Sequence, residues 1–396
     1  MERFDAIVVG AGPAGSTAAR ELAAGGARVL IVDRAEFPRY KACGGGIPIR
    51  TQRLLSFPIE SVIEDSVHRM EVTYRGKMRF VRDSGTPFAH MVMRDRFDNL
   101  LLEEARRAGA EFRPRTVVRS AETTGGRVSI SSQDGFTAEA RFLICADGAH
   151  SPVGKMAGLG AGMAECAAWE VEVKSGNPRR PFEGTTLIEF GYRPWGYAWL
   201  FPKADLLSFG IVIPPGQAGT MKQRVSKFIE RTGWSDGEVE IAKGHKIRFR
   251  RGHEPIASDR VLLAGDSAGL ADEFTEEGIF YAIQSGRVAA RATLRALAAS
   301  GTLRPYEADI DAEIMPELRA ARVIGAMFYG MLLRAPRPWI QASRHIPWLW
   351  SALFAVQRGE STYFREVQRA RPLAAIASRR LDRADRVATR AAAHSP

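Results

Sequence analysis

Gly10, Gly12 and Gly15, with Asp33 following 18 residues after the last of them, are the residues whose types and spacing point most directly to a chemical task. They stand in Val-Gly-Ala-Gly-Pro-Ala-Gly, after an apolar run at 4–9 and before a helix expected over 13–24. Gly10 permits a tight turn, Gly12 lets the backbone approach a pyrophosphate, and Gly15 lets the helix pack closely on a sheet. The helix N-terminus adds free N–H groups and the positive end of a dipole. Asp33 closes a second strand, expected at 27–32, and its carboxylate is suited to a ribose diol, which favours FAD or NAD over a 2′-phosphorylated nucleotide. A lone G-x-G-x-x-G also marks ordinary turns. Strand, glycines, helix, strand and acid together imply a dinucleotide.

Two later segments repeat the pattern of a strand ending in Asp or Gly. Cys145-Ala146-Asp147-Gly148 follows an apolar run at 140–146, and Gly265-Asp266-Ser267-Ala268-Gly269 follows another at 260–264. Between them, residues 165–250 are dominated by β patterns, at 167–173, 185–190, 197–201 and 208–213, with one helix near 219–233. Strands are also expected at 69–74, 77–81, 111–121 and 128–132. Helices are expected over 94–108, with Phe97, Leu100, Leu101 and Ala105 on one face, and over 278–299. This order predicts an α/β fold in which a Rossmann-type FAD-binding domain (1–65, 92–163 and 255–300) is interleaved with an antiparallel β-sheet substrate domain (66–91 and 164–254). A basic helical region, 301–396, completes the chain.

Composition narrows the classes. At 396 residues and 45% hydrophobic content the chain is long enough for two or three subdomains. Cys43, Cys145 and Cys166 show no paired spacing, so no disulfide framework or metal site is expected and a reducing cytoplasm fits. Met1-Glu2-Arg3 leads straight into the first strand, so no signal peptide is expected. The net charge of +11 is weighted toward the end, where seven arginines from Arg369 onward face only Asp382 and Asp385. That run is either a solvated face or an attraction to anionic lipid; no nucleic-acid motif accompanies it.

The three segments resemble the flavoprotein class typified by p-hydroxybenzoate hydroxylase. Two longer motifs, Pro38-Arg39-Tyr40-Lys41-Ala42-Cys43-Gly44-Gly45 and Trp195-Gly196-Tyr197-Ala198-Trp199-Leu200-Phe201-Pro202-Lys203, resemble the geranylgeranyl reductase family. Gly269 and Phe274-Thr275 with Glu277-Gly278-Ile279 extend the likeness. The resemblance implies bound FAD and reduction of isolated C=C bonds in a prenyl lipid. NAD(P)H or ferredoxin would donate electrons without a nucleotide domain of its own. It implies cofactor contacts from Gly10, Gly12, Pro13, Ala14, Gly15, Asp33, Arg34, Lys41, Cys43, Gly44, Arg94, Val118, Asp147, Gly148, Gly265, Asp266, Gly278 and Ile279, with Asp266 on the ribityl chain.

Hydride transfer to an unactivated alkene needs a dry apolar channel and a proton source. Tyr197, Trp199 and Phe201 alternate along one strand, so they share a face, and with Pro202 they are expected to line the substrate channel; the alternative is plain sheet core. Cys43, among basic residues and glycines, is expected to deliver a proton or to position the loop. The chain departs from the family where Glu273 and Glu276 replace Pro and Gly. A carboxylate there either faces solvent and caps the next helix or stands by the flavin as a proton donor, which makes Glu276 a second catalytic candidate. Three alternatives remain: an aromatic monooxygenase, a lipid carrier without activity, and a serine esterase using Ser267 in a G-x-S-x-G elbow with His345 or His394.

Beyond residue 330, Met331, Leu332, Leu333, Trp339, Ile340, Trp348, Leu349, Trp350, Leu353 and Phe354 are interleaved with Arg334, Arg337, Arg344 and Arg358, and Pro336, Pro338 and Pro347 interrupt them. The longest apolar run, 346–356, is too short for the roughly 20 residues a membrane span needs. It holds the protein at an anionic membrane surface, on the inner face, or caps the substrate channel, or does both.

Overall fold

Three apolar segments far apart in sequence meet in one sheet. Glu2–Val9 lies parallel between Val29–Val32 and Thr137–Cys145, and Val261–Leu263 pairs with the last residues of Thr137–Cys145. Glu111–Arg113 extends one edge, and a hairpin of Val118–Thr124 and Arg127–Ser132 extends the other. The central strands are near-continuous apolar runs, as a parallel sheet covered on both faces requires. Ile7, Val8, Ile31 and Ile144 are fully buried there. Helix Pro13–Ala24 packs against the long helix Ile279–Ala298 so closely that a Cβ on Gly286 would stand 2.5 Å from the Ala14 carbonyl oxygen. This computed structural model describes residues 2–174, 182–192, 195–235, 237–252, 254–371, 374–375, 377–379 and 381, and not the side chains of 332 and 333. The side chains of Leu332 and Leu333 and the arginines at 380, 383, 386 and 390 therefore lie outside it.

A second seven-stranded sheet runs in the order Val239–Phe249, Ala164–Lys174, Leu206–Ile213, Tyr197–Pro202, Thr185–Phe190, Arg69–Tyr74 and Lys77–Asp83. Its neighbours are antiparallel except Thr185–Phe190 with Arg69–Tyr74. Alternation divides its faces. Ala198, Leu200, Leu207 and Phe209 pack with Val225 and Phe228 of helix Met221–Arg231, while Tyr197 and Phe201 turn to the opposite side. A third, small sheet joins Gly46–Pro48, Ala89–Val92 and Ile63–Val67.

The helices Pro305–Glu313, Met315–Arg334, Pro336–Ser343, Pro347–Arg358 and Tyr363–Arg369 follow. They cap the second sheet with the aromatic residues of the interrupted segment. Trp350 meets Phe80 with ring centroids 5.5 Å apart, and Phe354 meets Phe88 at 4.8 Å. The Trp350 Nε1–H donates to the Ser343 carbonyl at 2.8 Å. Among the described residues no helix is long and apolar enough to cross a membrane.

The expected strand at 111–121 is two strands. Pro114 has no N–H to give a ladder, and Arg115 takes a φ of 52°, so the chain turns between Arg113 and Val118. Strand Val239–Phe249 was not expected, because Lys243, Gly244, His245 and Lys246 break any apolar alternation. It forms as an edge strand, where charge is tolerated.

Candidate active site

One continuous cavity of about 2040 Å³ touches both large sheets and the C-terminal helices. Gly10, Gly12 and Asp33 line one part; Lys41, Cys43, Trp199, His245 and Asp266 line another; Phe328, Tyr329, Trp339 and Leu349 line a third.

The glycine turn fits a dinucleotide. Gly10 has φ of 102°, and a Cβ there would stand 2.2 Å from the Ala146 carbonyl oxygen. A Cβ on Gly15 would stand 1.8 Å from the Gly10 oxygen, so Gly15 lies behind the cavity wall, where it sets the close packing. At Gly12 the nearest atom is Arg39 Nη2, 3.7 Å from the Cβ position, and Arg39 Nη1 is buried with no hydrogen-bond partner among the described residues. An unpaired guanidinium nitrogen beside a bare turn and a helix N-terminus suits a pyrophosphate. Asp33 is already engaged: Oδ2 accepts from Ala11 N and Oδ1 from Ala35 N, each at 2.8 Å. It pins the turn, and each oxygen retains capacity for a second bond.

Arg39 and Arg94 share one buried carboxylate. Asp98 accepts from Arg94 Nε and Nη2 at 2.8 Å each, and Arg39 Nη2 lies 2.8 Å from its Oδ2. Burial alone would raise the Asp98 carboxyl, but Arg94 and then Arg39 outweigh it and hold the group below the usual carboxylate range.

Lys41 Nζ lies 2.9 Å from His245 Nε2, and that nitrogen lies 3.6 Å from Asp266 Oδ2. Burial opposes the Asp266 charge, yet the His245 hydrogen bond and the Lys41 charge bring its carboxyl down to about 2. Burial, followed by Arg94, lowers Lys41 to about 8. Cys43 is half-buried; its backbone N–H donates to Glu170 Oε2 at 2.5 Å, and the Tyr40 hydroxyl donates to the same oxygen at 3.2 Å. Ser208 Oγ donates to the other oxygen of Glu170 at 2.8 Å, so one buried carboxylate anchors the loop 40–43 to the second sheet.

The aromatic face is tight against that loop. Tyr197, Trp199 and Phe201 stack in succession at 6.1 Å per step and line the cavity. A Cβ on Gly44 would stand 2.7 Å from Trp199 Nε1, and one on Gly210 would fall 2.0 Å from the Trp199 ring. Pro202 is buried on the other face and away from the cavity wall.

The acidic loop is divided among four tasks. Asp272 accepts from the N–H groups of Phe274 and Thr275 at 2.9 and 2.6 Å. Glu273 lies between Arg251 (3.3 Å) and Arg322 (3.2 Å). Glu277 caps helix Ile279–Ala298 by accepting from Phe280 N at 2.7 Å and faces Arg50 at 3.5 Å; burial raises it to about 7 against the pull of Arg50. Glu276 has φ of 55°, lines the cavity, and among the described residues makes no hydrogen bond through its buried Oε2. Capping therefore belongs to Glu277, not to Glu273 or Glu276.

Pro13, Ala14, Arg34, Val118, Gly148, Gly278 and Ile279 also line the cavity. Gly265 lies behind its wall, its N–H donating to Ser285 Oγ at 2.9 Å. Asp147 lines it but serves the local backbone, accepting from Ser151 Oγ at 2.7 Å and Val153 N at 2.9 Å. Ser267 is fully buried and shares its hydroxyl proton between Asp147 Oδ1 (3.1 Å) and the Gly148 carbonyl (3.2 Å); among the described residues no histidine bonds it, and His394 lies outside them. A nucleophilic serine needs an exposed hydroxyl that donates to a base, and this one is buried against a carboxylate and a carbonyl. Sequence reasoning missed Asp98, Glu170 and His245. Only Asp98 carried a local signal, its i,i+4 spacing from Arg94.

Fold and site together define a flavin-binding α/β oxidoreductase: the chain matches the FAD binding domain family over residues 3–292. Within that class it belongs to the geranylgeranyl reductase family. It is 31% identical over 309 residues to geranylgeranyl diphosphate reductase of Rhodobacter capsulatus, covering 74% of this chain and 75% of that one. It is 29% identical over 353 residues to digeranylgeranylglycerophospholipid reductase 1 of Methanopyrus kandleri, covering 82% and 90%. The crystal structure of a geranylgeranyl bacteriochlorophyll reductase-like protein of Thermoplasma acidophilum matches with a TM-score of 0.75 at 22% identity, over 93% of this chain and 99% of that one, and shows the same fold.

Proposed function

We propose that this protein saturates isolated C=C bonds of a polyprenyl chain, with electrons reaching its FAD from NAD(P)H or ferredoxin. One observation carries the proposal: the cavity that begins at the glycine turn continues into a space walled by Tyr197, Trp199, Phe201, Phe328, Trp339 and Leu349. A dinucleotide alone needs no such extension. Gly10, Gly12, Arg39, Asp33 and Asp266 hold the cofactor, and the segments 1–65, 92–163 and 255–300 form its domain. When bound and reduced, FAD supplies a hydride. The chain excludes water with its aromatic wall and offers exchangeable protons at Cys43 and Glu276.

Anaerobic incubation of dithionite-reduced protein with a panel of prenyl lipids, followed by mass spectrometry, should show added H₂ in at least one. Flavin-loaded protein that reduces no member of the panel would overturn the proposal. Cys43→Ser should keep the flavin spectrum and slow product formation by roughly 10²-fold, the lower end of general acid–base effects. Full activity would leave Cys43 as a loop residue alone.

The substrate enters, in this view, from the inner face of a membrane. Met331 and Trp348 line the cavity yet are 47% and 62% exposed, and Arg334, also exposed, lines it beside them. An exposed tryptophan and arginine at a cavity rim suit the lipid head-group region. Flotation with anionic vesicles should be strong at low salt and weaken at high salt. Equal recovery with neutral vesicles, or none with either, would leave these helices as a cap only.

A further inference from the structure

Lys41 and His245 meet from distant parts of the chain, the loop after Asp33 and the edge strand Val239–Phe249, and Asp266 lies on the same cavity wall. One cation opposite Asp266 would satisfy a structural ion pair; here two basic groups stand 2.9 Å apart beside one carboxylate. Two full positive charges at that separation repel, and Arg94 acts on both groups in the same sense. The pair therefore holds one proton fewer than its capacity. Its vacant position adjoins the carboxylate that family likeness assigns to the cofactor's ribityl chain.

We propose that the Lys41–His245 pair accepts one proton from solvent when the bound flavin is reduced, so that a protein cation meets the negative charge gained by the ring. This rests on the FAD reading above. The balance is two electrons and one proton to the ring, which leaves one added negative charge, and one further proton to the pair. The surroundings support such a poised pair. Burial and Arg94 lower Lys41 to about 8, and burial lowers His245 below its ordinary value. From the loop side, Cys43 faces Lys41; from helix Arg94–Arg107, Arg94 and Asp98; from the turn after Val261–Leu263, Asp266; and Tyr40 with Glu170 and Lys243 of the second sheet lines the same wall. A new negative charge beside this set favours the doubly protonated pair.

The test is the pH dependence of the flavin midpoint potential, measured on holoprotein by dye-mediated reductive titration between about pH 7 and pH 8. The wild type should take up two protons per two electrons. His245→Asn and Lys41→Met, each with FAD content checked by absorbance, should take up one. Uptake of a single proton by the wild type overturns the inference whatever the variants do, and so does an unchanged two-proton slope in either loaded variant. Wild-type protein that binds no FAD would instead overturn the reading on which the inference rests.

Discussion

Asp98→Ala should purify largely without flavin and lose about 3–5 kcal/mol of stability, the usual cost of removing one partner from a buried ion pair. The carboxylate is fully buried and is the shared acceptor for Arg94 and Arg39. Its removal leaves two cations stranded in the wall of the cavity. Arg39 would then lose the contact that holds it beside Gly12, so the phosphate end of the site should fail with the fold. Asp98→Asn keeps the volume but not the charge and should fall in the same direction. The pH dependence has a defined sign. Because the folded value is depressed, this stabilisation is complete above the unfolded carboxyl value of about 3.9 and is lost as pH falls through the lower folded value. Urea denaturation with flavin absorbance as a second probe reads both effects. A flavin-loaded alanine variant within about 1 kcal/mol of wild type would mean that water solvates the two arginines, as it does in exposed pairs.

How much of this was legible in sequence depends on whether partners lie close along the chain. The glycine turn, its helix and Asp33 are contiguous, and the pairing of Ala11 N with Asp33 closes a local unit. Tyr197, Trp199 and Phe201 were legible as one face because strand periodicity is two. Which face they shared, and with what, required Gly44 and Gly210 to be seen against Trp199. His245 was out of reach. Its position opposite Ala168 comes from sheet register, and its strand lacks the alternation that announces a strand. Glu170 shows the same difficulty, since a carboxylate in an apolar strand has no meaning until the loop 40–43 is laid across it. In the C-terminal region the aromatic residues were visible, but the same residues suit a membrane face or a buried cap. Ile340, Trp350 and Phe354 are buried and Trp339, Leu349 and Leu353 pack against the same core, which assigns most of the described stripe to the cap and leaves Trp348 and Met331 at the rim. In the acidic loop the four carboxyls were plain, and their division among tasks was not.

That division isolates Glu276, and Glu276→Gln should slow prenyl saturation by roughly 10²–10⁴-fold while FAD remains bound. Asp272, Glu273 and Glu277 are each committed to backbone N–H groups or arginines, whereas Glu276 Oε2 has no hydrogen-bond partner among the described residues and its residue faces the cavity. Burial raises the Glu276 carboxyl well above its ordinary value, with Asp272 and Glu273 adding to the rise and the Tyr197 hydrogen bond opposing it. It thus keeps its proton where a solvated glutamate has lost it, as an acid must to protonate a carbon in an apolar channel. Activity under single-turnover conditions should fall as pH rises through that raised value, and the glutamine variant should lose this limb. Stability gives an independent sign: a raised folded value makes the wild type less stable as pH climbs above the unfolded value of about 4.3, so the glutamine variant should be at least as stable at neutral pH. Glu276→Gly separates chemistry from conformation, because it relieves the φ of 55° and removes the acid together. A conformational role alone predicts an active glycine variant. A proton-donating role predicts that glycine and glutamine are impaired alike, and wild-type rates with an unchanged pH limb in the glutamine variant would return that role to Cys43.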